Sequence, residues 1–118
     1  MLYINDSPGA LIDVYNVNND GTLSHKRRFA NNIGNGNLEE GIPDGMKCDE
    51  LGNIWVTGPG GIWVIDPDGK HLGIINFPEN CHNLAWGNKD WKTLYVTGCT
   101  SLYSIQTKVK SHEEPFMV

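Results

Sequence analysis

No apolar run in this chain approaches the roughly 18–20 residues that a bilayer-spanning helix needs, so membrane insertion is not expected. The opening residues, Met1 to Gly9, carry neither a basic stretch nor an extended apolar segment. They do not read as a secretory signal, and a cytoplasmic protein is expected. Positive charge is scarce: 9 Lys and Arg stand against 14 Asp and Glu, for a net charge of −5 and a pI near 5.2. Such a chain repels a phosphate backbone, and its one basic cluster, Lys26-Arg27-Arg28, reads as a solvated strand or turn face; no nucleic-acid partner is expected. Cysteine is sparse as well. Cys48, Cys81 and Cys99 form no CxxC pair, which excludes a zinc knuckle or a thioredoxin-type motif and leaves buried free thiols in a reducing compartment. A GxSxG nucleophile elbow is missing, and so is any convincing helical periodicity.

What is there is strand and turn. With 118 residues and 39% hydrophobic content the chain has the size of one domain. Such a domain buries about 65–70% of the surface its unfolded form exposes. Short apolar or alternating runs recur at 2–5, 11–17, 24–30, 46–48, 53–57, 61–66, 71–77, 83–86, 93–97 and 101–106. Between them lie Asn18-Asn19-Asp20-Gly21, Asp49 to Asn53, Asp66-Pro67-Asp68-Gly69 and Gly87 to Asp90. Asn-rich and Asp-Gly turns supply the positive φ values of tight hairpins. About ten short strands at turn spacings of roughly 8–12 residues give an all-β, antiparallel protein.

A shift of 40 positions lays Ile54-Trp55-Val56-Thr57-Gly58 over Leu94-Tyr95-Val96-Thr97-Gly98. The same shift lays Ile62-Trp63 over Leu102-Tyr103 and Ile65 over Ile105, and a weaker copy begins at Leu2-Tyr3-Ile4-Asn5. A period of about 40–50 residues with four strands per unit marks a β-propeller blade, a β-sandwich with two similar hairpins being the alternative. The first unit supplies three strands, the second (Met46 to Phe77) four, and the third (Asn83 to Gln106) three. The fold class is therefore β-propeller-like, about two and a half four-stranded antiparallel blades in a single partial domain over residues 1–107. A tail over 108–118 follows. It is polar until Pro115-Phe116-Met117-Val118, which suits either a strand pairing with another sheet or a frayed terminus. Two or three blades cannot close a ring, so a homo-oligomer or further blades N-terminal to this segment are expected.

Several stretches carry a resemblance to a known family: Ile42-Pro43-Asp44-Gly45-Met46-Lys47-Cys48-Asp49, then Gly52-Asn53-Ile54-Trp55-Val56, Val64 to Lys70, Asn83-Leu84-Ala85-Trp86-Gly87 and Thr93 to Thr97. With the opening Leu2-Tyr3-Ile4-Asn5-Asp6-Ser7, the chain resembles the senescence-marker-protein/gluconolactonase/regucalcin family from about residue 2 to 107. The resemblance implies a six-bladed propeller with a divalent cation, most often calcium, in its central channel. It also implies hydrolysis of a lactone or sugar-acid lactone, with phosphoester-type substrates in some members. Carried onto this sequence, it makes Asp44 the metal ligand and the acid–base residue. The family's other ligands, a Glu and two Asn, and its substrate-contacting Arg and Asn have no matching stretch here, so a single copy is not expected to be a lactonase. Chemically the assignment is coherent, because calcium takes about 6–8 oxygen ligands and a carboxylate on a tight turn can point inward. Lactone opening needs a polarised carbonyl and a group to activate water.

Other residues weigh less. His82 and Asn83 sit near the start of the third unit's inner strand, roughly where Asp44 sits in the second, and are either channel-facing partners of Asp44 or a capped turn. Asn16 to Gly21 mimics the opening of an EF-hand loop, but Arg27 falls where a bidentate Glu is required, so a hairpin turn is expected. Gly58-Pro59-Gly60-Gly61 reads as a turn between strands, with no helix after it to make a phosphate loop. Trp55, Trp63 and Trp86 are expected between blades and Trp91, in a polar turn, exposed. No organic cofactor site is read. The residues leave three readings: a self-completed lactonase-type enzyme, a non-catalytic structural or binding module, or a piece of a longer enzyme.

Overall fold

The computed structural model describes residues 1–115 and 117, and every regular element in it is a strand. In chain order these are β1 (Leu2–Asp6), β2 (Leu11–Val17), β3 (Leu23–Ala30), β4 (Met46–Cys48), β5 (Ile54–Gly58), β6 (Gly61–Ile65), β7 (His71–Asn76), β8 (Cys81–Gly87), β9 (Thr93–Gly98) and β10 (Leu102–Gln106). They form three antiparallel sheets, β1-β2-β3, β4-β5-β6-β7 and β8-β9-β10, each in simple meander order. The three-, four- and three-strand units read from the repeat are these three sheets.

Alternation along β5 explains the stacking. Ile54 and Val56 pair with Ile65 and Trp63 and face the first sheet, where Ile12 and Ala30, with Ile33 of the connection after β3, meet them. Trp55 pairs with Val64, and Ile62 lies beside Thr57, on the other face. There Leu84, Trp86, Leu94 and Val96 of the third sheet close a second core. Trp55 and Trp86 meet edge to face, with ring centroids 5.0 Å apart. The middle sheet is thus buried on both faces, whereas each end sheet has one face covered. The outer face of the first sheet exposes Leu2 (40%) and Ile4 (44%); that of the third exposes Leu102 (68%).

Turns follow their sequences. Asn18 to Thr22 is a hairpin turn in which the Asp20 carboxylate accepts the Thr22 amide, so the EF-hand-like stretch is a connection between β2 and β3. Two expectations need correction. Trp91 is half-buried against the second core, because its turn folds under the segment after β10. Cys81 is buried and Cys48 half-buried, but Cys99 is exposed, because it lies in the β9–β10 turn. All three are free thiols. The segment after β10 returns to its own chain: Ser111 bridges Asp49, the His112 amide donates to Cys48 O, and the Ser111 amide to Trp91 O. Phe116 and Val118 of the apolar end lie outside the described residues. No helix among the described residues is long and apolar enough to cross a membrane.

Candidate functional site

The long connection from β3 to β4 ends in Ile42-Pro43-Asp44-Gly45, at the corner where all three sheets meet. Proline fixes one φ and gives up its amide, and the remaining polar main-chain atoms of 43–45 are all taken, by partners from each of the three sheets. From the first sheet, Asn5 Nδ2 donates to Asp44 O at 2.6 Å, and Ser7 Oγ, just past β1, donates to Pro43 O at 2.6 Å. From the middle sheet, Thr57 Oγ1 accepts the Asp44 amide at 2.9 Å and donates to Ile42 O at 2.9 Å, while the Thr57 amide donates to Gly45 O at 3.1 Å. From the third sheet, His82 O accepts the Gly45 amide at 2.9 Å.

Glycine at 45 is a requirement of that last contact. A Cβ there would lie 2.5 Å from Asn83 Cα and 2.8 Å from His82 O, closer than real Cβ atoms come. The Pro-Asp-Gly order therefore has a physical reading: proline stiffens the approach, glycine lets β8 close in, and the residue between projects its side chain. That carboxylate is half exposed, at 53%, and His82 Nδ1 lies 3.9 Å from its Oδ2. His82 Nε2 in turn lies 3.2 Å from Cys99 Sγ. Asn83 spends its side-chain oxygen on the Leu84 amide and stands over Gly45.

The structure brings Asp44, His82 and Asn83 together, the last two on strand β8 and not in a turn. Sequence reading missed the residues that hold the loop. Asn5 and Ser7 lay inside the opening motif with no role assigned. Thr57 was visible only as a polar residue repeating at Thr97, and that repeat has a counterpart, since Thr97 Oγ1 donates to Asn83 O at 3.4 Å. Cys99 carried no signal at all, because its approach to His82 is a tertiary contact. Among the described residues, no group of three or more His, Cys, Asp or Glu side chains is placed to hold a metal ion.

Meander sheets of three, four and three strands stacked face to face, with a carboxylate just before the first strand of the middle one, define a segment of a β-propeller. Residues 1–100 match the family described as SMP-30/Gluconolactonase/LRE-like region, and the chain belongs to that family. It is 32% identical over 114 residues to a gluconolactonase of Zymomonas mobilis, which covers 91% of this chain and 32% of that protein. To regucalcin of Danio rerio it is 32% identical over 102 residues, covering 82% of this chain and 33% of the relative. Among solved structures, a putative gluconolactonase superposes with a TM-score of 0.82 at 29% identity, over 95% of this chain and 37% of the other. The chain thus spans about a third of the length of the relatives it matches.

Proposed function

We propose that this chain presents the Asp44 carboxylate of a divalent-cation-dependent lactone hydrolase acting on a sugar-acid lactone. One observation carries the reading: every main-chain hydrogen-bonding group of residues 43–45 is committed, while the Asp44 side chain accepts no hydrogen bond among the described residues. An oxygen ligand or base held this way has its ordering cost met in advance by the fold. Lactonase relatives support the substrate class.

Asp44 alone does not make a cation site. One carboxylate meets little of the roughly 6–8 oxygens that calcium takes, and the described residues supply no cluster to complete the set. The missing oxygens belong to further blades, either in a second copy of this chain or in a longer polypeptide. The chemistry that follows from the present residues is confined to a proton. Asp44 takes one from a water molecule as the water oxygen bonds to the lactone carbonyl carbon. The ring C–O bond then breaks, and the proton passes to the departing ring oxygen, leaving a hydroxy acid. Three free thiols suit a reducing compartment such as the cytoplasm.

The test is lactone hydrolysis by the full chain, followed by base uptake at constant pH with calcium and with a chelator. Calcium-dependent hydrolysis that falls by about 10²–10⁴-fold in Asp44→Ala is the expected result, the range a positioned acid–base group contributes. An Asp44→Ala chain as active as the native one overturns the assignment. A native chain inert under all conditions, associated or not, overturns the self-completed enzyme and leaves the non-catalytic binding module or the piece of a longer enzyme.

A further inference from the structure

We infer that Thr57 is the positioning residue of this site: its hydroxyl, buried within strand β5, fixes the main chain of Asp44 and with it the direction of the Cα–Cβ bond that carries the carboxylate. The inference rests on Asp44 being the functional residue and adds what aims it. Thr57 is wholly buried, a polar side chain in a strand whose other residues are apolar or glycine. Nothing about strand formation requires a hydroxyl there, and valine would fill the same space with good strand propensity. What the hydroxyl does is specific. It accepts from the Asp44 amide and donates to Ile42 O, so one oxygen ties the residue that bears the carboxylate to the start of its own turn. The neighbouring Thr57 amide holds Gly45 O, so a single residue grips the loop on both sides of Asp44. Asn5 and Ser7 grip the same loop, but from the rim of the first sheet, and only through carbonyl oxygens. The Asp44 N–H, which sets the orientation of its own Cα–Cβ bond, is held by Thr57 alone.

The experiment is nuclear magnetic resonance of the full chain, first with no cation present. Thr57→Val removes the hydroxyl and keeps the shape; Thr57→Ser restores it. In the native chain and Thr57→Ser, the HN–Hα couplings of Asp44 should report a single φ and its amide should be protected. In Thr57→Val the couplings should average, and the Asp44 amide should exchange faster by about tenfold or more, the effect of one lost buried hydrogen bond. A Thr57→Val chain that melts at a lower temperature but keeps the native Asp44 couplings would show a merely structural threonine and overturn the inference. Averaged Asp44 couplings in the native chain overturn it without any variant. Manganese(II) is then added alone, and broadening of the Asp44 and Gly45 resonances is followed. It should occur in the native chain and Thr57→Ser, need about tenfold more metal in Thr57→Val, and vanish in Asp44→Asn. No broadening in the native chain would overturn cation binding by this chain or by copies of it, and the coupling data would still decide the role of Thr57.

Discussion

Asp13 is buried on the outer face of the first sheet and is held there by two cations, with Arg28 Nε 2.6 Å from Oδ1 and Lys26 Nζ 3.4 Å from Oδ2. The basic cluster that read as a solvated strand face is therefore solvated only in part. Two of its three members cover a carboxylate, and Arg27 reaches Asn16. The Arg28 hydrogen bond, helped by Lys26, holds the Asp13 carboxyl below its usual 3.8. A carboxyl with a depressed folded pKa contributes stability that is present above its unfolded value, about 4, and lost as the pH falls through the folded value. Asp13→Asn should accordingly melt below the native chain at neutral pH, with the gap closing as the pH drops below about 4. Melting curves of both proteins between neutral pH and about pH 2 check this; a gap constant across that range would assign the effect to packing instead of charge. At the thiols, burial pushes Cys48 up and Cys81 up to about 11, so neither is a ready nucleophile at neutral pH. Such facts were beyond the sequence because they depend on cross-strand register: Asp13 and Arg28 are opposite each other only once β2 and β3 are paired.

Among the elements, the turn between β4 and β5 shows what a short motif can and cannot disclose. Asp49 to Asn53 was legible as a turn, and Gly52 adopts the positive φ such turns require. Its anchor was not legible. The Asp49 carboxylate, 1% exposed, accepts from the Leu51 amide, the Asn53 amide, Asn53 Nδ2 and the Trp55 indole, all at 2.9 Å. The first three are local and follow from an aspartate opening a turn. The fourth ties the turn to the tryptophan that packs against Trp86 of the next sheet, so a hairpin cap also sets the packing of two blades. Asp49→Ala would leave the buried Trp55 indole and three part-buried donors unpaired, at a cost of roughly 3 kcal/mol, whereas Asp49→Asn keeps an acceptor and should lose less. Urea unfolding followed by tryptophan emission measures both. An Asp49→Ala chain within 0.5 kcal/mol or so of native stability would mean that water reaches these donors. The strands themselves were nearly all legible, with differences of one or two residues at their ends, because period-two alternation and Asp- or Asn-led turns are local properties. The site was legible only at Pro43-Asp44-Gly45 and His82-Asn83. Its clamp joins residues 39 and 13 positions from Asp44, and no local pattern marks Asn5 or Thr57 as partners.

For the whole molecule, the consequence of three stacked sheets is two unlike uncovered faces. The middle sheet has the surroundings a blade needs on both sides, and the end sheets have them on one. Leu2 and Ile4 on one outer face and Leu102 on the other are aliphatic side chains at positions where an inter-blade core would continue. Exposed apolar faces of this kind favour association with a complementary surface, and the face of one copy resembles what the other face of the next copy would otherwise meet. Opposing this is the net charge of −5 on every copy. Association should therefore strengthen as added salt shortens the Debye length from about 30 Å at 0.01 M to about 10 Å at 0.1 M. Light scattering at rising concentration should give a molar mass above 13.1 kDa in moderate salt. Ile4→Lys and Leu102→Lys should each return it toward that value, one from either face. If the cation site is completed by a second copy, chelation should act like those substitutions and calcium should reverse it. A chain that stays at 13.1 kDa at all salt and calcium concentrations would overturn self-completion. A cation site at Asp44 would then need blades from a different polypeptide segment, because one carboxylate cannot by itself gather the oxygens that a divalent cation demands.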